Sequence, residues 1–206
     1  IATYSFDWGD GTTTGPQPGP TATHTYASAG SYTVTATATD SGGLAATGSA
    51  PVAVLGNLIG NPGFETSTAG WNTILTGTTL ARAAGGHSGG WSALLTNTGT
   101  SSTTLGLNDS PNWVTATRTG TTYTASVWVR SDSPGAVVKL KVREYTGSTA
   151  VGSTSASVSL TTAWQQVLLG YAPVAGGSSS LDFQLYLSSA PPGPSFRADD
   201  AAIVGG

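Results

Sequence analysis

The chain has 206 residues, of which only 8% are charged, with a formal net charge of −3 and no cysteine. The lack of cysteine excludes disulfides, thiolate zinc sites and thiol nucleophiles, and the lack of a basic cluster argues against a nucleic-acid partner. Low charge combined with many Gly, Ser, Thr and Ala residues predicts an ordered, β-rich extracellular protein, and no apolar run approaches the roughly 20 residues of a membrane span.

Charge divides the chain into two parts. Residues 1–56 hold three aspartates and no Lys or Arg, whereas the remainder holds seven bases and seven acids. The change coincides with the segment AVLGNLIGNPG, which is short enough to couple two domains semi-rigidly. We therefore expect two domains, residues 1–55 and residues 56–206.

Two strands are predicted in the first segment. In SYTVTATATD, apolar residues from Tyr32 to Ala38 alternate with threonines, and a period of two indicates a half-buried strand. The segment YSFDWGDGTTT indicates a second strand, which runs into the hairpin-turn signal Gly9-Asp10-Gly11. No helical period of useful length is present, so an all-β fold is expected.

The first segment resembles the polycystic-kidney-disease (PKD) domain, an immunoglobulin-like β-sandwich. Four motifs follow in the expected order: FDWGDG at 6–11, HTY at 24–26, AGSYTV at 29–34 and ATDSGG at 38–43. A PKD domain has further strands before these motifs. The resemblance therefore implies a partial sandwich with an open core face, which another chain or another copy completes. It also implies a spacer or adhesive role.

Trp8, Asp10 and His24 are of residue types that also occur in catalytic sites. The simpler interpretation is structural: Trp8 packs in the core with Tyr32, Asp10 forms the turn, and His24 packs beside it. We expect no catalysis in this segment.

From residue 57 the sequence predicts short strands with a turn about every ten residues, the pattern of a sandwich or jelly roll. The clearest strands are TYTASVWVRS (122–131), AVVKLKVREYT (136–146), AWQQVLLGYAP (163–173), SLDFQLYLS (180–188) and SFRADDAAIV (195–204). The expected architecture is thus all-β: a partial immunoglobulin-like sandwich followed by a β-jelly-roll sandwich.

Alternation assigns a polar face to three of these strands. Opposite their apolar sides they present Trp128 and Arg130, then Lys139, Lys141, Arg143 and Tyr145, then Asp182, Gln184 and Tyr186. Aromatic rings stack on the C–H faces of sugars, while planar polar groups bond the hydroxyls. We expect one carbohydrate-binding surface formed by Trp128, Arg130, Arg143, Tyr145, Gln184 and Tyr186. In the alternative interpretation, the aromatics cover a neighbouring loop or domain.

The second segment resembles a carbohydrate-binding module of the family 4/9 type, related to family 22. Five motifs carry the resemblance: NLIGNPGFE at the start, HSGGWSALL (87–95), GTTYTASVWVRS (120–131), TTAWQQV (161–167) and FRADDAAI (196–203). The resemblance implies a jelly roll with a concave sugar-binding face and a structural Ca²⁺ ion on the opposite side.

The resemblance also implies the ligands of that ion. Gly63 and Glu65 occupy the opening G-F-E motif, Ser88 and Trp91 would supply backbone carbonyls, and Asp199 would supply its carboxylate. Such hard oxygen ligands suit Ca²⁺, which takes about six to eight of them. Asp200 is the alternative to Asp199, and without a metal both Glu65 and Asp199 would be solvated residues.

The remaining tryptophans are interpreted by position. Trp113 lies near a loop and joins the carbohydrate-binding set as a rim residue, whereas Trp71 is left open between rim and core. Trp91 lies in the metal loop, where a structural role is expected for its ring. Trp164 resembles the family's strand-opening core tryptophan.

Catalytic motifs are lacking in the sequence. A glycosidase needs two carboxylates across the scissile bond, but Glu65 and Glu144, the only glutamates, lie in unrelated motifs. Glu144 lies on the inward side of its strand, where we expect a base as its partner. No G-x-S-x-G, P-loop or H-E-x-x-H motif occurs.

We therefore expect a secreted, non-catalytic module that binds a polysaccharide such as β-glucan or xylan. It would anchor a larger carbohydrate-active protein, with the PKD segment as spacer. The alternative is a structural or adhesive extracellular protein, such as a surface fibre, in which another chain completes the partial PKD segment. An enzyme in its own right is a third class. No membrane or nucleic-acid partner is expected.

Overall fold

The computed structural model describes residues 2–206, with Pro194 described by its backbone only. These residues form fourteen β-strands and no helix, so the all-β expectation is confirmed. The chain divides into two compact units, Ile1–Gly56 and Asn57–Gly206, called unit 1 and unit 2 below. Nowhere in the described residues does a helix have the length and apolarity needed to cross a bilayer.

Unit 1 contains one antiparallel sheet, sheet A. Its strands are β1 (Thr3–Asp7), β2 (Thr13–Gln17), β3 (Gly30–Thr39) and β4 (Ala45–Val54), in the order β2-β1-β3-β4. The two strands predicted from alternation and turn signals are β1 and β3. The β1–β2 turn forms because Gly9 and Gly11 adopt φ values of 77° and 89°. Asp10 fixes this turn by accepting hydrogen bonds from Thr12.

One face of sheet A is open and apolar. Phe6, Trp8, Val34 and Ala36 line a pocket of about 610 Å³ on this face. Trp8, at 9% exposed, is the only buried apolar side chain among the described residues of unit 1. Its ring stacks on Phe6 and His24, with centroid separations of 5.6 and 4.8 Å. Trp8 and His24 thus have the packing roles that the sequence predicts.

Ten strands make up unit 2. They are β5 (Trp71–Thr73), β6 (Thr78–Ala84), β7 (Trp91–Asn97), β8 (Thr103–Asp109), β9 (Tyr123–Arg130), β10 (Val137–Thr146), β11 (Thr149–Ser159), β12 (Gln165–Tyr171), β13 (Ser180–Ala190) and β14 (Gly193–Gly205). Sheet B has the order β11-β10-β13-β8-β5, and sheet C has the order β12-β9-β14-β7-β6. All neighbouring strands are antiparallel, and the five strands predicted for this segment correspond to β9, β10, β12, β13 and β14.

The core of unit 2 consists of the inward side chains that alternation predicts. Val127 of β9, Leu140 of β10 and Phe183 of β13 are each 0% exposed. Burying a side chain of this size stabilises the fold by roughly 1.5–3 kcal/mol. Trp71 belongs to the same core at 4% exposed, with its ring 5.6 Å from that of Phe64 and 5.5 Å from that of Phe183. Of the two roles left open for Trp71, the core role is the one observed.

Trp164 differs from its predicted position. Its side chain is half-buried and outside the buried cluster, with its ring centroid 6.0 Å from that of His87. The expectation of a strand-opening core residue is wrong, because Trp164 lies before β12 begins and the first core side chain of that strand is Val167.

Glu144 of β10 lies inside the sandwich in a polar network. It is 0% exposed and accepts hydrogen bonds from the Tyr171 and Ser179 hydroxyls and from the N–H groups of Val174 and Ala175. The expectation of a basic partner is wrong, since these four donors surround the carboxylate. Burial raises the pKa of Glu144, but the hydrogen bonds outweigh burial, and the pKa is lowered. Glu144 thereby fixes the segment between β12 and β13.

Asp109 is a second buried carboxylate, at the end of β8. It accepts hydrogen bonds from the N–H of Phe183 at 2.7 Å and from that of Trp113 at 3.0 Å. Burial raises the pKa of Asp109 to about 7, and the two backbone bonds offset this only in part. Asp109 therefore links the loop that carries Trp113 to β13.

Candidate functional site

A row of polar side chains crosses all five strands on the outer face of sheet B. Asn72 of β5 pairs with Asn108 of β8, Asn108 with Gln184 of β13, Gln184 with Lys141 of β10, and Lys141 with Ser155 of β11. Residues directly opposed in antiparallel strands share a face. All five are exposed or half-buried. This polar row is therefore a continuous hydrogen-bonding surface.

Arg143 and Tyr145 lie on one side of the polar row. Arg143 pairs with Asp182 across β10 and β13, and its Nε and Nη2 atoms both lie 2.7 Å from Asp182 Oδ2. The Arg143 guanidinium also lies 5.3 Å from the centre of the Tyr145 ring. Because charge-assisted bonds of this kind are strong and directional, Asp182 holds a planar donor group beside an aromatic ring.

Tyr186 lies on the other side of the polar row. It pairs with Lys139 of β10 and with Gly106 of β8. The Lys139 ammonium lies 5.9 Å from the centre of the Tyr186 ring. Tyr186 and Tyr145 therefore flank the polar row from opposite sides, each next to a basic group.

The face deepens into a pocket of about 290 Å³ near β5. Its lining residues are Asn72, Thr73, Ile74, Asn108, Ser110, Arg143 and Gln184. Asn108 donates to the Asp109 carbonyl at 2.7 Å, but its own Oδ1 is buried with no hydrogen-bond partner among the described residues. Leaving a buried acceptor unpaired costs about 1–3 kcal/mol, so a hydroxyl donor placed here would recover part of that cost.

The predicted carbohydrate-binding residues fall on two different sheets. Arg143, Tyr145, Gln184 and Tyr186 lie together on the outer face of sheet B, as predicted. Trp128 and Arg130 belong to β9, which pairs with β12 and β14 in sheet C. The expectation of one surface shared by three strands is therefore wrong for β9.

Trp128 and Arg130 have partners of their own in the segments next to the strands of sheet C. The Trp128 ring stacks on His87 with centroids 3.8 Å apart and an interplanar angle of 12°. Arg130 forms an ion pair with the exposed Asp132. For Trp128 the alternative interpretation, in which the aromatic covers a neighbouring loop, describes what is observed.

Trp113 is a packing residue. It is half-buried against the core of unit 2, and a side-chain carbon added at Gly60 or Gly70 would collide with its ring. These two glycines let the backbone approach the indole closely. The structure therefore does not place Trp113 as an open rim residue of the face.

The predicted metal ligands meet at the turn between β6 and β7. Glu65 accepts hydrogen bonds from the N–H groups of Gly90 and Trp91, both at 3.1 Å. Asp199 Oδ2 accepts one from the His87 N–H at 2.7 Å. Gly63 lies alongside, since a Cβ built on it would be 3.7 Å from Asp199 Oδ1. Two carboxylates far apart in sequence thus contact the same turn.

Three oxygens of this site converge on one point beside Gly86. A methyl group on Gly86 would lie closer than 3.0 Å to the carbonyl oxygens of Ser88 and Trp91 and to Asp199 Oδ2, which together we call the oxygen cradle. Ca²⁺ binds such oxygens at about 2.3–2.6 Å, so the donor set fits this ion. Two of the three cradle oxygens are backbone carbonyls. The site is therefore not a cluster of ligating side chains, and the described residues contain no group of three or more His, Cys, Asp or Glu side chains that could hold a metal.

The backbone is strained in both segments that carry the carboxylates. Phe64 adopts a φ of 55° and Asp200 a φ of 46°, and the β14–β9 register shifts between Asp199 and Ala202. A non-glycine residue in the left-handed region costs about 1–3 kcal/mol. Asp199 itself pairs with Trp128 on the outer face of sheet C and is 0% exposed, because the β6–β7 turn covers it at the oxygen cradle.

Asp200 also faces the turn but makes different contacts. Its carboxylate accepts a hydrogen bond from the Ser88 hydroxyl at 2.6 Å, and its Oδ2 atom lies 2.7 Å from His87 Nδ1. Burial raises the pKa of Asp199 to about 6, and the charge of Asp200 adds to this effect. A cation at the oxygen cradle would favour the ionised form of Asp199.

Several site residues were missed by sequence reasoning. Arg82 donates to the Phe64 carbonyl at 2.7 Å and to the Glu65 carbonyl, and it lies 4.1 Å from the centre of the Trp91 ring. The available signal was a lone arginine in the otherwise uncharged strand β6. Asn72 gave no signal, because β5 has only three residues and shows no usable alternation. For Asn108 the available signal was the alternation of Leu105 and Leu107 in β8, which places Asn108 on the opposite face.

Two family models match the chain. One, described as a carbohydrate binding domain, matches residues 56–192, which is more than half of the chain. The other, described as a PKD domain, matches residues 1–50. No curated protein matches the chain.

Several of the similar solved structures are carbohydrate-binding modules. One belongs to the β-sandwich superfamily and was solved to explain promiscuous specificity; it has a TM-score of 0.60 and 22% identity over 98% of this chain and 85% of that chain. The CBM22-1 xylan-binding domain of Paenibacillus barcinonensis Xyn10C has a TM-score of 0.54 and 21% identity, covering 73% and 95%. TmCBM61, in complex with β-1,4-galactotriose, has a TM-score of 0.51 and 18% identity, covering 72% and 97%. At these identities the likeness concerns the fold.

Proposed function

The chain belongs to the carbohydrate-binding domain family, and on that premise we propose that the outer face of sheet B binds a polysaccharide. The observation that carries the proposal is the polar row of Asn72, Asn108, Gln184, Lys141 and Ser155, with a tyrosine on each side. A face that spans five strands offers contacts to several sugar residues of a chain at once.

The chemistry of the face suits sugar hydroxyls. The amides of Gln184 and Asn108 both donate and accept, so they can pair with hydroxyls in either orientation. Tyr145 and Tyr186 offer aromatic surface for the C–H faces of sugar rings. The names of two solved relatives, a xylan-binding domain and a galactotriose complex, support a polysaccharide as ligand.

We propose that this binding is non-catalytic. A glycosidase needs two carboxylates that flank the bond it cleaves. Among the described residues, the one carboxylate on the outer face of sheet B is Asp182, which is paired with Arg143. Glu144 is fully buried and cannot reach a ligand. We further propose that the module is secreted and anchors a larger carbohydrate-active protein, with unit 1 as spacer.

The test is to measure binding of the full chain and of variants on each sheet. Replacing Tyr186 with alanine is expected to weaken polysaccharide binding about five- to thirtyfold, or about 1–2 kcal/mol, because the ring is lost from the face. Trp128→Ala, on sheet C, is expected to leave affinity unchanged. Affinity gels containing β-glucan, xylan, mannan or alginate give the dissociation constants.

A conservative variant distinguishes the contribution of the Tyr186 ring to affinity from that of its hydroxyl. Tyr186→Phe keeps the aromatic surface and should retain most of the affinity. Loss of binding in Trp128→Ala but not in Tyr186→Ala would move the site to sheet C. Failure of the unaltered chain to bind any of the polymers would overturn the proposed function.

A structural Ca²⁺ ion is a further part of the proposal. Gly63, Glu65, Ser88, Trp91 and Asp199 would hold it, and the fit of the oxygen cradle supports this assignment. The ion would supply a positive charge beside the buried Asp199. The residues themselves bring together the G-F-E segment, the β6–β7 turn and β14. Because β6, β7 and β14 belong to sheet C, we expect sugar binding on sheet B to survive chelation.

The second candidate function is structural or adhesive, through self-association of unit 1. The open apolar face of sheet A, with Phe6, Trp8, Val34 and Ala36, favours it, because such a face gains stability when another surface covers it. We propose a second copy of the chain as the occupant.

Replacing Val34 with aspartate is expected to shift the association of the full chain toward monomer, by at least about tenfold in dissociation constant, since a charge would be buried in the contact. Thr33→Asp places the same charge at the neighbouring exposed position and should have no effect. Analytical ultracentrifugation over a range of concentrations measures both. A chain that is monomeric at every concentration would exclude self-association.

A further inference from the structure

Basic side chains are concentrated on the outer face of sheet B. Lys139 and Lys141 are the only lysines of the chain, and both lie on β10 together with Arg143. Their alternate positions direct all three side chains to the outer face, where each is half-buried. Alternate residues of a strand lie about 7 Å apart, so β10 presents positive charge at regular intervals along the face.

The carboxylates of sheet B do not neutralise these charges. The strands of this sheet carry Asp109, Glu144 and Asp182, which are 0%, 0% and 3% exposed. Asp109 and Glu144 are held by donors inside the sandwich, and Asp182 is paired with Arg143. Within the described residues, neither lysine forms an ion pair. The outer face therefore has an excess of positive charge, although the chain as a whole has a net charge of −3.

Each lysine adjoins a group that is suited to a sugar. Lys139 lies beside the Tyr186 ring, and Lys141 lies in the polar row between Gln184 and Ser155. A sugar ring stacked on Tyr186 would place its substituents within reach of the Lys139 ammonium. A sugar hydrogen-bonded to Gln184 would likewise place its substituents within reach of the Lys141 ammonium.

We propose that the polysaccharide bound on this face is anionic, and that Lys139 and Lys141 bind its carboxylate or sulfate groups. This inference rests on the proposed function, because it specifies the ligand of the same face. An ammonium group is a compact charge that accepts either kind of anion without a fixed geometry. A neutral ligand would use the two ammonium groups only as hydrogen-bond donors and would leave their charges uncompensated.

The test compares three soluble polymers by isothermal titration calorimetry with the full chain: polygalacturonate, carrageenan and a neutral β-glucan. At least one of the two anionic polymers is expected to bind roughly tenfold more tightly than the neutral one. Lys139→Gln and Lys141→Gln should each weaken anionic binding about two- to fivefold, a larger loss than either causes in binding of the neutral polymer. Added salt should weaken anionic binding, because it screens exposed charges. If polygalacturonate binds more tightly than carrageenan, the face prefers carboxylate groups; the opposite order indicates a preference for sulfate groups.

Arg118→Gln is the matched control. It removes one positive charge at an exposed position outside the strands of sheet B, and it should leave anionic binding unchanged. An equal loss in Arg118→Gln and Lys141→Gln, or equal affinity for the neutral and anionic polymers, would overturn the inference while leaving polysaccharide binding in place. No binding to any of the three polymers would overturn both.

Discussion

Replacing Glu144 with alanine is expected to lower the free energy of unfolding of unit 2 by about 3–5 kcal/mol. The substitution removes the acceptor of four donors at once: the hydroxyls of Tyr171 and Ser179 and the N–H groups of Val174 and Ala175. The Tyr171 and Ser179 hydroxyls would remain buried without an acceptor, whereas the N–H groups of Val174 and Ala175 are part-buried. Urea denaturation of the full chain, followed by tryptophan fluorescence, measures the loss.

Glu144→Gln removes the negative charge of the network but nearly preserves the shape of the side chain, so it measures the contribution of the charge to stability. Glutamine keeps one acceptor oxygen but turns an NH₂ group toward the remaining donors, so we expect a smaller loss of about 1–3 kcal/mol. Tyr171→Phe removes one donor and should cost less in the Glu144→Ala background than in the unaltered chain. An alanine variant within about 1 kcal/mol of the unaltered protein would contradict this account, since a change that small is ordinary for exposed sites.

The same network predicts a pH dependence. Although burial raises the pKa of Glu144, the surrounding hydrogen bonds lower it below its usual value of 4.5. A carboxyl whose folded pKa is depressed contributes stability above its unfolded pKa and loses that contribution as pH falls through the folded value. The difference in stability between the unaltered chain and Glu144→Gln should therefore shrink as the pH is lowered below 4.5.

Chelation of calcium is expected to lower the melting temperature of unit 2 by about 5–10 °C. An ion present at 100 times its dissociation constant contributes about 2.7 kcal/mol, and in a domain of this size each kcal/mol corresponds to about 2–4 °C. Asp199→Asn should abolish this calcium-dependent shift, because it removes the charged member of the oxygen cradle. Differential scanning calorimetry with calcium and with EDTA measures both.

Two further variants test the position of the ion. Gly86→Ala places a methyl carbon among Ser88 O, Trp91 O and Asp199 Oδ2 and should also abolish the calcium-dependent shift. Gly170→Ala is the matched control, because no atom lies within 4 Å of a Cβ built there. Asp132→Asn removes an exposed carboxylate far from the turn in sequence and should retain the shift. A melting temperature that EDTA leaves unchanged would contradict the calcium proposal.

Alternation predicted which side of each strand faces the core, because the period of two is a local property of the chain. The inward positions of β9, β10 and β13 were therefore identified correctly. Alternation does not determine which strands become neighbours, since pairing depends on contacts far apart in sequence. For this reason the polar side of β9, with Trp128, was assigned from the sequence to the same surface as the polar sides of β10 and β13, although β9 lies in sheet C.

Residues outside the strands were predicted less well. Trp164 was expected in the core and lies near His87 instead, and Trp113 was expected at a rim and packs on Gly60 and Gly70. Nothing periodic fixes the direction of a loop side chain, so its position depends on the tertiary contacts around it. The meeting of Glu65 and Asp199 at one turn followed from the family resemblance, because neither spacing nor composition connects two residues so distant in the sequence.

The binding face is tested most directly by mapping backbone amide shifts in ¹⁵N–¹H NMR spectra of the full chain. The titrant is an oligosaccharide of the polymer that binds most strongly. The account predicts that the shifts are concentrated in β8, β10 and β13, around Asn108, Lys141 and Gln184, and are absent from β9 and β12. Shifts centred on Trp128 and the outer face of sheet C, with sheet B unaffected, would contradict it.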